Sequence, residues 1–196
     1  MSGRRELATE DAIFGGKVAP VATRATHREL LLVGGPGHIL AIPITAIEEV
    51  TRLPRHITRV PGAPPSLIGL AKWRARVVPV VDLGLGAGRD ASLTGPPPPL
   101  ILVPFEDGRV GFVVERILGT CRVPEGAIVE PSPEVAAASG LDVVSVLELV
   151  PERLDEASHV PPSVRERCRL PIVDLDGALR RLAARMPARF PGAHAE

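Results

Sequence analysis

Apolar residues along this chain fall in short runs between turn-forming residues, and helical spacing appears only near the C-terminal end. Leu30-Leu31-Leu32-Val33 and Ile39-Leu40-Ala41-Ile42 flank Gly34-Gly35-Pro36-Gly37-His38, which predicts an antiparallel hairpin beginning near Glu29. Thr45, with Glu48 three residues on, predicts a capped helical turn up to Val50. Pro54, Pro61, Pro64 and Pro65 then exclude a long helix. Strands are predicted over Leu67–Lys72 and Arg76–Leu83. The second contains Val77-Val78-Pro79-Val80-Val81, apolar throughout like a strand buried on both faces. Pro79 inside it argues for an edge or a bulge.

Residues 84–99, rich in Gly and ending in four prolines, read as a connection between two lobes. Leu100–Val103 and Val110–Val114 predict a second hairpin around Asp107-Gly108. Ser132-Pro133 predicts the start of a short helix through Ala138, stopped by Gly140. Strands follow over Val143–Val150 and Leu170–Leu175, separated by a polar segment, 151–168, expected to be an exposed loop. Asp176–Met186 carries Leu179, Leu182 and Met186 on one stripe and predicts a helix.

The sum is an all-β protein of small barrels or a sandwich. Its halves share a plan, each a hairpin, a turn-rich middle and a final strand: Val80-Val81-Asp82-Leu83 matches Ile172-Val173-Asp174-Leu175. The expected division is a flexible tail over 1–26 and one domain over 27–188. Within it, lobe one covers about 27–84, lobe two about 100–150, and a C-terminal strand and helix 169–187. Residues 189–196 form a second tail.

Charge and composition narrow the function. Lys+Arg and Asp+Glu number 23 each, so there is no global basic field for nucleic acid or an anionic bilayer. Aromatic residues are 3%, with one Trp and no Tyr, too few for a base-stacking platform. Cys121 and Cys168 do not make a disulfide framework. The first residues carry charge without an apolar core behind it, so no signal peptide is expected. Leu30–Ile47 lacks charge and is long enough for a short membrane span, but the hairpin reading accounts for it, and a soluble cytoplasmic protein is expected.

Motifs for catalysis are sparse. Gly84-Leu85-Gly86-Ala87-Gly88 follows a strand, yet Arg89 stands where a dinucleotide loop needs its third glycine and no helix follows. Gly16-Lys17 lacks the rest of a phosphate loop. His27, His38, His56, His159 and His194 are scattered, away from metal-ligand spacing. Glu48 and Glu49 point apart on a helix, so they are no acid–base pair, and Asp82 and Asp174 suit turn or cap roles. One segment is organised for presentation: Trp73-Arg74 at a turn, between a glycine-bearing strand and a buried strand. Trp and Arg are enriched at binding hot spots, but a core Trp beside a solvated Arg explains the residues equally well.

The same segment, Ile68–Leu83, resembles the signature of the CheW-like family, roughly G-V-x-N-L-R-G-x-V-V-P-V-x-D-L. Gly69, Arg74, Val77, Val78, Pro79, Val80, Asp82 and Leu83 stand at matching places. Ala41-Ile42-Pro43-Ile44 with Ile47-Glu48-Glu49-Val50, Ile57–Pro61 with Ala63-Pro64, Gly111–Glu115 and Ile128–Pro133 resemble further family segments, in order, from about 28 to 182. The resemblance implies two five-stranded Src-homology-3-like barrels packed together with a short C-terminal helix, and no catalysis, cofactor or metal. It implies a chemotaxis adaptor joining the cytoplasmic tips of methyl-accepting chemoreceptors to a CheA-type histidine kinase. Such a protein works in the cytoplasm at membrane-associated arrays, with neither membrane insertion nor a nucleic-acid partner. The receptor-facing residues it implies are Ile47, Glu49, Gly69 and Arg74, with Lys72 and Trp73 as added contacts. Lys72, Trp73 and Ala75 replace the family's Asn, Leu and Gly, so a turn that needs positive φ at Ala75 would be strained or different. Two alternatives stand beside this reading: a CheW-shaped module for an unrelated protein, and an enzyme with dispersed catalytic groups.

Overall fold

The computed structural model describes residues 26–35, 38–83, 96–133 and 143–185. Its elements are β1 (His27–Gly35), β2 (His38–Pro43), β3 (Glu49–Arg52), β4 (Ile57–Thr58), β5 (Leu67–Trp73), β6 (Arg76–Asp82), β7 (Pro99–Phe105), β8 (Gly108–Val113), β9 (Arg116–Pro124), β10 (Ile128–Val129), β11 (Val143–Glu148), β12 (Arg169–Val173) and α1 (Leu175–Arg185). They build two sheets, ordered β10-β11-β12-β2-β1-β9 and β3-β7-β8-β6-β5-β4. Each sheet has six strands rather than the expected five. Neighbours are antiparallel except β12 with β2 and β6 with β8, which run parallel. The expected all-β fold with a short C-terminal helix is what the chain adopts.

The lobes are divided differently from the expectation of 27–84 and 100–150. Hairpin β1–β2 belongs to the sheet of β9–β12, and hairpin β7–β8 to the sheet of β3–β6. The two sequence halves do repeat a plan, hairpin then four strands, but each hairpin completes the sheet of the other half. The matching segments at Val80 and Ile172 hold equivalent places, each on the strand that pairs in parallel with the exchanged hairpin.

Burial explains the exchange. Along β1, Leu30 and Leu32 enter the core of their own sheet, while Leu31 and Val33 join a cluster shared with the other sheet. Along β7, Leu100 and Leu102 face their own lobe, while Ile101 and Val103 face the shared cluster. Both hairpins are therefore apolar on both faces, because each has a core on either side. Phe112 on β8 and Leu175 and Leu179 of α1 complete the shared cluster. Asp174 caps α1: the Asp176 N–H donates to its Oδ1 at 3.1 Å.

Two local expectations change. The turn after β2 is a 3-10 helix, Ile44–Ala46, without a side-chain cap, so the Thr45–Glu48 capping box is absent. Glu48 is engaged elsewhere, as described below. Pro79 lies in an interior strand, but the ladder of β6 to β8 begins only at Val80. The missing N–H therefore falls where that side of β6 is not yet paired. Segment 151–168 is exposed for most of its length, as expected, and a few residues tie it down as a strap. Arg122 and His159 exchange backbone hydrogen bonds of 2.8 Å, and Val160 and Val164 are buried against Leu30, Cys121 and Ile172. Strand β9, which the apolar pattern did not reveal, is the strand to which the strap attaches. The helix expected after Ser132, most of the connection at 84–99 and both tails lie outside the described residues.

Candidate functional site

The turn between β5 and β6 consists of Arg74 and Ala75, closed by the pair Trp73–Arg76. Its left-handed residue is Arg74, with φ +53°, and Ala75 has no positive φ. The alanine that replaces the family's glycine is thus unstrained. Left-handed backbone costs a residue such as arginine about 1–2 kcal/mol, and what Arg74 gains locally offsets part of it.

Arg74 Nη2 donates to Glu49 Oε2 at 2.7 Å, and its guanidinium carbon lies 4.2 Å from the centre of the Trp73 ring. Glu49 comes from β3, so the pair ties the turn to another strand of the same sheet. Trp73 itself is half-buried against the core that holds Ala71, Val78 and Val113. The ring thus packs on the core and also supports the arginine.

A second pair stands beside the first. Arg109, on β8, donates from Nε to both carboxylate oxygens of Glu48, at 2.8 and 2.7 Å, and its Nη2 reaches Oε1 at 2.6 Å. Its guanidinium carbon is 5.9 Å from the same Trp73 ring. The hydrogen bond from Arg109, then the nearby charges of Arg109, Arg74 and Arg76, hold the Glu48 carboxyl below the usual carboxylate range. The Glu48 N–H donates to the Leu102 carbonyl at 2.9 Å, which fixes its backbone to β7.

A family model for the CheW-like domain matches residues 29–181. The chain belongs to the CheW-like family. A chemotaxis protein CheW from Helicobacter pylori is 32% identical over 94 residues, 48% of this chain and 56% of that protein. The chain thus spans little more than half the length of the curated relative it matches. The crystal structure of a scaffolding protein, TtCheW from Thermoanaerobacter tengcongensis, is similar with a TM-score of 0.56 at 17% identity, over 79% of this chain and 88% of that one. That likeness is one of fold.

The residues that CheW-like resemblance singled out do not all meet. Glu49, Trp73 and Arg74 form one contact group, and Lys72 is exposed one residue before it. Ile47 packs at the edge of the core shared by the two sheets. Gly69 is buried under β4, where an added Cβ would lie 2.5 Å from the Thr58 carbonyl oxygen. Its local role is to let β4 close on β5. Arg109 and Glu48 escaped the sequence reading. The signal for Glu48 was lost in an assumed helix, and Arg109 sits in the other half of the chain, adjacent only through the hairpin exchange.

A cleft of about 1080 Å³, lined in part by His27, Arg28, Arg122 and Asp155, is the place to look for dispersed catalytic groups in this CheW-like chain. Asp155 accepts from Ser158 Oγ at 2.8 Å and contacts His27 Nε2 at 2.9 Å. A nucleophilic serine needs its hydroxyl on the imidazole. Here both serine and histidine meet the carboxylate, an arrangement that anchors the strap to β1. Among the described residues no group of three or more His, Cys, Asp or Glu side chains could hold a metal ion, and no helix is long and apolar enough to cross a membrane.

Proposed function

We propose that this chain is a non-catalytic chemosensory adaptor, coupling the cytoplasmic tips of methyl-accepting chemoreceptors to a CheA-type histidine kinase. It acts in the cytoplasm, recruited to membrane-associated receptor arrays. The observation that carries the reading is the CheW-like match over most of the chain; Arg74, on the two-residue turn between β5 and β6, is where the family resemblance implies a receptor-facing arginine. The geometry supports a docking role. The Arg74 side chain is 69% exposed and, among the described residues, makes one hydrogen bond from its five N–H donors. A helical hairpin laid against such a surface would offer carboxylates and carbonyls to that fork. Glu49 and Trp73 set its position, Lys72 precedes it on β5, and Gly69 maintains that strand, while Ile47 lies apart at the edge of the shared core.

The test is to measure the affinity of the full chain for a purified chemoreceptor cytoplasmic fragment and for the kinase. Arg74→Ala is expected to weaken receptor binding by about 1–3 kcal/mol, as for an interface anchor, and to leave kinase binding nearly unchanged. Equal loss of both, or no loss of receptor affinity, would remove Arg74 from the site. Failure of the wild-type protein to bind either partner would end the coupling reading.

A further inference from the structure

The pair Arg109–Glu48 lies outside the residues assigned by family resemblance, yet it shares Trp73 with Arg74. We propose that Arg109 and Glu48 are positioning residues of the same binding surface. They fix Trp73 from the β8 side, and so set how the ring and the Arg74 guanidinium are presented to a partner. The proposal deepens the coupling reading and rests on it for the identity of that partner.

The two arginines divide the work. Arg109 has a side chain 26% exposed and forks onto both oxygens of Glu48, a geometry that removes most of its rotational freedom. Arg74, more than twice as exposed, holds Glu49 by one bond. The first is therefore fixed and the second is the presenting group. Glu48 is held in turn by its backbone bond to β7, and its charge balances a neighbourhood that contains Arg74, Arg76 and Arg109. Without that carboxylate, Arg109 would lose its partner beside a ring it shares with Arg74, and its guanidinium would shift. Trp73 is where the chain departs from the family's leucine, and a ring large enough to meet two guanidinium groups gives the second pair something to position.

Trp73 is the single tryptophan, and the chain has no tyrosine, so indole fluorescence reads this site alone. The experiment compares full-length wild type, Arg109→Ala, Arg109→Lys, Glu48→Gln, Arg74→Ala and the Arg74→Ala/Arg109→Ala double variant. Each is examined for Trp73 emission and acrylamide quenching without partner, then for affinity toward a purified chemoreceptor cytoplasmic fragment. Arg109→Ala and Glu48→Gln are expected to raise the quenching constant by about twofold and weaken binding by about fivefold. Arg109→Lys should recover part of both, and the double variant should lose less than the product of the single losses. Should Arg109→Ala fail to fold, Glu48→Gln gives the same readouts. Unchanged emission and quenching in Glu48→Gln and any folded Arg109→Ala, or losses that multiply independently, would overturn the proposal. Wild-type protein that does not bind the fragment overturns the coupling reading instead, and the partner-free fluorescence then decides the positioning claim.

Discussion

Replacing Gly69 by alanine adds one methyl group on β5 at a point where backbone already stands. The new Cβ would lie 2.5 Å from the Thr58 carbonyl oxygen, 2.7 Å from Ile57 Cγ2 and 3.0 Å from the Thr58 carbonyl carbon. Two of those atoms are backbone and cannot rotate away, so β4 must move off β5. Gly69 also has φ +155°, a region that residues with a Cβ rarely adopt. The strained backbone costs about 1–3 kcal/mol and the overpacking another 1–3 kcal/mol or so. Together, roughly 2–6 kcal/mol is a large part of the approximately 5–15 kcal/mol that holds a domain folded. Two other glycines separate the contributions. At Gly62, φ is +73° and nothing lies within 4 Å, so Gly62→Ala carries strain alone, about 1–2 kcal/mol. Gly126 has open space and no positive φ, so Gly126→Ala should stay within about 0.5 kcal/mol of wild type. Urea denaturation of the three variants gives the ranking. If Gly69→Ala is no less stable than Gly62→Ala, the β4–β5 approach does not require a glycine and the packing argument fails.

Three further outcomes follow from the strap and the cysteines. Val164→Ala empties part of a fully buried site on the strap and should lower stability by about 2 kcal/mol in urea; no change would mean that the strap does not close that core. Hydrogen bonds from Ser158 and then His27 hold the Asp155 carboxyl below its ordinary value of 3.8. That contribution to stability is complete above 3.8 and lost as pH falls through the lower folded value. Asp155→Asn should therefore flatten part of the acid limb of the pH–stability curve, and an unaltered limb would count against the anchor. Burial pushes the Cys121 thiol up to about 11, whereas Cys168 is exposed. A maleimide near neutral pH should label Cys168 alone in the folded protein and both after denaturation, as mass spectrometry would show.

Much of this architecture was written locally. Apolar runs bounded by Gly and Pro identified both hairpins, β5, β6, β11, β12 and the C-terminal helix, because alternation, turn residues and capping act within a few residues of each other. The same local chemistry placed Arg74 on the turn after β5, whose last residue is Trp73. It failed where a residue's role depends on what lies across space. Glu48 looked like a helix cap until β8 supplied Arg109, and segment 151–168, exposed for most of its length, gave no local sign that Val160 and Val164 would be drawn into the core. The exchange of hairpins was the deepest such case. A hairpin that is apolar on both faces announces that it will be covered twice, as Leu30–Val33 and Leu100–Val103 do, but its periodicity is the same whichever half covers it. Register and partner are set by long-range packing among twelve strands, and that packing brings Arg109 to the Trp73 turn from the other half of the chain.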